Sequence, residues 1–211
     1  MRTLALIAVF ALGLVSSACG KDESPAETAP RRQRTSGGES RLEYGEEARA
    51  AYERALLKFR KGNCLEASPA FQAVKREYPY SRFAALAELR IGDCQFKEKS
   101  YAEAIETYRT FVRYRPSHAQ VPYARFRAAE AHFKQIPREW LLSPPTHERD
   151  QTPALDALRH LRRFVRDFPA DDRVPEANRM IRQTLAVLAR HELYGARFYL
   201  RLDSKRAALR R

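Results

Sequence analysis

Metal coordination, nucleophilic catalysis and disulfide bonding are the chemistries that the side chains of this 211-residue chain invite. Its imidazoles are His118, His132, His147, His160 and His191. A helical zinc site places ligands about four residues apart, or clusters Cys with His, so that the donors converge on one ion. No two of these histidines stand four apart on one expected helix, and neither Cys64 nor Cys94 forms a close cluster with one. No metal and no cofactor are therefore expected. No Ser or Cys occupies a nucleophile elbow, and no Gly-rich loop is available to cradle a phosphate. The acidic residues are scattered as solvated positions usually are. With no catalytic set, the chain reads as a non-enzyme. Cys64 and Cys94 fall at the start of one expected helix and near the end of the next. Antiparallel packing brings such ends together, so in an oxidising compartment the two are a candidate disulfide. The alternative is a pair of buried thiols packed as small apolar groups.

Cys19 invites a different reaction. Arg2 is followed by an apolar run from Leu4 to Val15, too short for the roughly 20 residues of a membrane-spanning helix and suited to the core of a signal peptide. The run ends in Ser16-Ser17-Ala18-Cys19-Gly20, which resembles a bacterial lipobox, although Ser16 stands where that motif prefers Leu. The expectation is a lipoprotein signal peptide over 1–18 and lipidation of Cys19; the alternative is an ordinary secretory leader. By resemblance to lipoprotein sorting, Gly20 rather than Asp after the Cys implies delivery to the outer membrane, facing the periplasm. Residues 19–40 then form the lipidated Cys and a tether with Pro25, Pro30, Gly37 and Gly38 and no apolar periodicity. Such a linker spans roughly 25 Å r.m.s.. Its Arg31-Arg32-Gln33-Arg34 run can touch anionic lipid or act as a solvated spacer.

The elements behind these residues are helical. The chain has only 8 Gly, few β-branched runs, and abundant Ala, Leu, Arg and Glu, which favour helix. Ala67, Phe71, Val74 and Pro79 recur 37 residues later as Ala104, Tyr108, Phe111 and Pro116. They recur after a further 53 as Ala157, Leu161, Phe164 and Pro169. Gly92 lies 12 residues before Ala104, and Gly195 lies 12 before Ala207. This is the small–small–aromatic–proline skeleton of tetratricopeptide repeats, whose period is about 34 residues. Small residues allow two helices to cross closely, the aromatic fills the space between them, and Pro stops the second helix. The expected fold over 41–211 is all-α, a tetratricopeptide-repeat solenoid of antiparallel helix pairs. Helices are expected at 41–60, 65–77, 82–97, 101–114, 121–134, 153–167 and 174–202, the last with a break near His191. Ser81, Ser117 and Asp171 or Asp172 are the expected N-caps. A further helix begins near Ser204, so the final repeat reads as incomplete.

In such arrays the first helix of each pair lines the concave face. Tyr52, Phe59, Phe96 and Lys97 fall on first helices and are the candidate peptide groove. Trp140, the only Trp, lies in the insertion Arg138-Glu139-Trp140-Leu141-Leu142 and either anchors a partner or pins that loop.

The segment from Leu185 to Tyr199, Leu-Ala-Val-Leu-Ala-Arg-His-Glu-Leu-Tyr-Gly-Ala-Arg-Phe-Tyr, resembles the signature of the BamD family of outer-membrane lipoproteins. The matching residues are Leu188, Ala189, His191, Glu192, Phe198 and Tyr199, with Val187 where that family often carries Arg. Arg149-Asp150-Gln151, Tyr78-Pro79-Tyr80-Ser81, Arg115-Pro116-Ser117-His118 and Phe168-Pro169 add to the likeness, which covers roughly 45–211. The resemblance implies a scaffold of the β-barrel assembly machine. Its partners would be a BamA-like barrel-forming subunit, the other assembly-machine lipoproteins and unfolded outer-membrane proteins, with the membrane reached through the lipid anchor. Arg190, His191, Glu192, Tyr194, Arg197 and Tyr199 become the candidate partner-binding residues. By the same resemblance, an unfolded barrel segment would occupy the aromatic groove.

Two other readings compete. One is a different periplasmic repeat scaffold, such as a coordinator of envelope constriction with the Tol-Pal system; the 188–199 segment is not expected there. The other is a nucleic-acid or peptidoglycan binder, prompted by the net charge of +13. Interleaved aromatics on a sheet, or a basic groove, would support it; neither is expected, so no nucleic-acid partner is assigned. The charge is also uneven. Residues 41–120 hold 15 basic and 11 acidic groups, whereas 121–211 hold 19 and 11. The excess therefore accompanies the helices that carry the partner segment, which points to an acidic protein surface or anionic envelope lipid.

Overall fold

The computed structural model describes residues 39–137, 145, 148–202 and 205–210. The expected signal peptide, Cys19, the tether up to residue 38 and Trp140 lie outside them. Eight helices follow in chain order among the described residues, with no strand: α1 (Glu39–Arg60), α2 (Cys64–Glu77), α3 (Arg82–Lys97), α4 (Tyr101–Tyr114), α5 (Val121–Lys134), α6 (Thr152–Asp167), α7 (Val174–Arg201) and α8 (Lys205–Ala208). Each packs against the next, and α1 also reaches α3, as α5 reaches α7. The odd-numbered helices thus form one layer and α2, α4 and α6 the other, the all-α stacking of a tetratricopeptide-like solenoid.

Local chemistry sets the ends. Ser81 caps α3, its hydroxyl accepting from the Ala84 amide at 3.2 Å. Asn63 does the same for α2, accepting from Glu66 N–H at 3.1 Å. Ser117 and Asp172 do not cap: the residues before α5 and α7 are Gln120 and Arg173, and neither makes a side-chain cap bond. Instead a Pro follows at the first turn of each, where the missing amide costs nothing. Asp171 accepts from the Arg173 amide at 2.9 Å just outside the helix. Nor does α7 break at His191; it is one helix through Arg201.

Three apolar clusters form the core. The first joins α1, α2 and α3 around Phe71 and Val74, the second α3, α4 and α5 around Tyr108 and Phe111, the third α5, α6 and α7 around Leu161 and Phe164. These six are the repeat-motif aromatics and aliphatics, and all are fully buried. Each such side chain contributes on the order of 1.5–3 kcal/mol by leaving water. Facing them is a series of small residues at one 37-residue spacing: Ala55, Gly92 and Ala129, all buried. The fit is tightest at Gly92, where a Cβ would lie 2.8 Å from Tyr108 Cε1. Cys64 and Cys94 meet in the first cluster, as the antiparallel geometry implies. Both are buried, free cysteines. Burial, and then Cys64, push the Cys94 thiol far above its ordinary range.

Burial thins out along α7. Its buried residues are Ala177, Met180 and Thr184, all in its first half. The Thr184 hydroxyl donates to the Met180 carbonyl at 2.8 Å.

Candidate functional site

The odd-numbered layer is organised around a buried acid. Asp93 stands next to Gly92 on α3 and is 2% exposed. Its Oδ1 accepts from the Tyr108 hydroxyl of α4 and the Tyr123 hydroxyl of α5, both at 2.6 Å. Its Oδ2 accepts from Arg90 at 2.6 Å, and Arg127 Nε lies 3.5 Å from Oδ1. One carboxylate therefore ties three helices, and burial in this paired form is tolerable because every partner is polar or cationic. Burial first, and Asp93 second, drive both phenols far above their ordinary range. Arg127 also donates to Glu130 at 2.6 Å. A second buried acid, Glu88, accepts from Arg115 at 2.7 Å and has Lys75 at 3.7 Å.

Aromatic rings and cations interleave beside this network. The Lys97 ammonium is 3.9 Å from the Phe59 ring centroid, and the Arg127 guanidinium is 3.9 Å from that of Phe96. Phe96 meets Tyr101 edge-on at 5.3 Å. Phe59, Phe96 and Lys97 are half-buried or exposed, at positions where a groove ligand can reach them. Tyr52 differs from the expectation. It is 8% exposed and packs 5.6 Å from both Phe71 and Phe83, so it belongs to the core. The long α1 lies across α2 and α3, whose Phe71 and Phe83 cover the Tyr52 ring.

The distal part of α7 carries the other candidate set. Arg190, Tyr194 and Arg197 are exposed, while His191, Glu192 and Tyr199 are half-buried. Phe198 and Tyr199 meet edge-on at 5.6 Å. Leu193, Tyr194, Phe198 and Leu200 present apolar surface to solvent, with Leu193 49% and Phe198 46% exposed. Val187 and Arg190 line a cleft of about 490 Å³ against the end of α5, with Phe133, Ile136 and Met180. The structure thus divides the expected residues into two sets: Phe59, Phe96 and Lys97 beside the buried network, and the 190–199 residues on the outlying half of one helix.

Two features escaped the sequence reading. The Asp93 network joins residues 15 and 30 positions apart. Its one visible signal is an acid beside the crossing Gly92, within the otherwise apolar run Ile91-Gly92-Asp93-Cys94. The other is His132 on α5 and His160 on α6, whose rings stack in parallel 4.2 Å apart. No group of three or more His, Cys, Asp or Glu among the described residues could hold a metal ion.

Residues 45–211 match the family model described as YfiO, outer membrane lipoprotein. Similar proteins include the outer membrane protein assembly factor BamD of Caulobacter vibrioides, 30% identical over 72% of this chain and 47% of that protein. The factor of the same name from Vibrio cholerae is 23% identical over 76% of this chain and 67% of that protein. That of Xylella fastidiosa strain 9a5c is 21% identical over 71% and 52%. The chain therefore spans about half to two-thirds of the length of the curated relatives it matches. Their shared name, assembly factor, accords with the expectation of a non-enzymatic protein. No helix among the described residues is long and apolar enough to cross a membrane. With the stacked helix pairs and the family match running from α1 to the C-terminal residue, the chain belongs to the YfiO/BamD family of outer-membrane lipoproteins.

Proposed function

We propose that this chain is a scaffold of outer-membrane β-barrel assembly, held to the inner leaflet of the outer membrane by lipid on Cys19 and facing the periplasm. The distal half of α7 docks the barrel-forming subunit through Arg190, His191, Glu192, Tyr194, Arg197 and Tyr199. The aromatic and cationic surface of Phe59, Phe96 and Lys97 receives unfolded outer-membrane protein segments. The observation that carries this reading is the family match over 45–211, with relatives named as outer membrane protein assembly factors. The apolar side chains left in solvent on α7 support it, because a face that a monomer leaves uncovered is suited to a partner. Affinity purification from gently solubilised membranes is the test. Co-recovery of a barrel-forming assembly subunit is the expected result, and recovery of Tol-Pal proteins instead overturns the reading. Cys19→Ser is expected to move the protein from the membrane to the soluble fraction; continued tight membrane association overturns the anchor.

A further inference from the structure

The layer of even-numbered helices carries a second surface, lined by residues of neither candidate set. A groove of about 610 Å³ runs between α4 and α6 and is floored by α5. Its floor is apolar: Tyr108, Ala124, Ala128 and Phe164 are buried, and the two alanines leave depth. Its walls are basic, with Arg109 and Arg113 from α4, Arg159 and Arg163 from α6, and Arg125 from α5. Three carboxylates answer these five guanidiniums. Glu106 lies 3.8 Å from Arg109, Asp156 pairs with Arg159, and Asp167 takes both Arg125 at 2.9 Å and Arg163 at 3.5 Å. Arg113 rests against the Tyr114 ring at 5.1 Å, without a carboxylate among the described residues.

The stacked imidazoles of His132 and His160 sit in the same groove. Burial is the main cause that lowers both imidazoles; Arg109 and Arg159 add to it for both rings, His160 for His132, and Arg163 for His160. Both rings are therefore held neutral at neutral pH, with His132 pulled down to about 4. A neutral imidazole still donates through one ring N–H. The groove thus offers an excess of cationic donors on both walls, along a trough with an apolar base.

We infer that this groove binds an acidic amphipathic segment of a partner polypeptide, its carboxylates against Arg109, Arg113, Arg159 and Arg163 and its apolar side chains on the α5 floor. A lipid phosphate fits less well, because it concentrates charge at one point whereas the arginines stand on opposite walls. Helix-in-groove docking has this pattern of apolar anchors with flanking charge pairs. The inference does not depend on which assembly the chain serves.

The probe is a synthetic peptide of about 15 residues, long enough to follow α6, with Glu and Leu at amphipathic helical spacing. Binding is read by fluorescence anisotropy on the full chain, and the site by NMR of the histidine ring protons. The expected result is saturable binding that shifts the His132 and His160 resonances and raises their titration, because a bound carboxylate favours the protonated ring. A scrambled peptide of equal composition is expected to bind about tenfold more weakly, and so is the wild-type peptide to the Arg109→Gln, Arg159→Gln variant. Both arginines are largely exposed, so circular dichroism is expected to show an intact fold. Unmoved histidine resonances, or equal binding by the scrambled peptide or by the variant, overturn the proposal. So does binding of phosphatidylglycerol vesicles through the same arginines with no binding of the peptide.

Discussion

The α3–α5 region and the distal half of α7 are built on opposite terms. In the first, a buried carboxylate gathers two phenols and two guanidiniums from three helices. In the second, leucines and aromatic rings of one helix stand in water. Interlocked polar groups make the middle of the array costly to disturb and specify its geometry. The distal helix gains little apolar burial from Leu193, Phe198 and Leu200, and it is there that the proposed function places a partner. Under the proposed function, folding and recognition fall on different stretches of one chain.

The largest effect expected from testing this contrast is at Asp93. Asp93→Ala leaves Tyr108 and Tyr123 without their acceptor and Arg90 and Arg127 without their counter-charge. Breaking a buried ionic cluster from one side costs about 3–5 kcal/mol, measurable by urea unfolding. A loss below about 1 kcal/mol, the level of an ordinary hydrogen bond, would break the comparison.

Next comes acid. His132 titrates near 4 in the folded chain, against about 6.5 when unfolded. Between those values the unfolded state binds more protons, so stability is complete above about pH 6.5 and falls as pH drops toward 4. Allowing for partial solvent screening, the loss is about 2 kcal/mol. Thermal midpoints at pH 7 and 4.5 measure it. His132→Phe, which keeps a ring in the stack, is expected to reduce the difference between them.

A smaller change follows Gly92→Ala. The added methyl meets Tyr108 Cε1 at 2.8 Å. Overpacking of about 1–3 kcal/mol is partly offset by about 1 kcal/mol of better helix propensity, leaving a net loss of about 1 kcal/mol. Chemical denaturation of the two proteins side by side checks it. The smallest effect belongs to α7. Phe198→Ser is expected to change stability by no more than about 0.5 kcal/mol while lowering recovery of the barrel subunit. A large drop in melting temperature would show that this face is a fold element after all.

The helices were legible in advance because their punctuation is local. Pro79, Pro116 and Pro169 stand just beyond α2, α4 and α6, and the repeat aromatics reappear as the three cores. That residues 190–199 share one helix was legible because they are one contiguous string. Tyr52 was misplaced because the repeat skeleton shows that α1 carries it but not how far α1 lies across α2 and α3. The Asp93 cluster and the histidine stack depend on register between helices, which no local pattern encodes. Two of the N-cap expectations failed for a related reason: a Pro at the first turn removes the amide that a capping side chain would satisfy.

Thr184 gives the distal helix a mechanical meaning. It is the last buried residue of α7, and its hydroxyl returns to the Met180 carbonyl, a bond that commonly bends helices. Beyond it the helix continues to Arg201, an arm of about 25 Å at the usual rise per residue. A partner gripping Phe198 would act on the third core through a lever whose fulcrum is one threonine. Movement of the tip would then be felt at Met180, which α7 contributes to the third core.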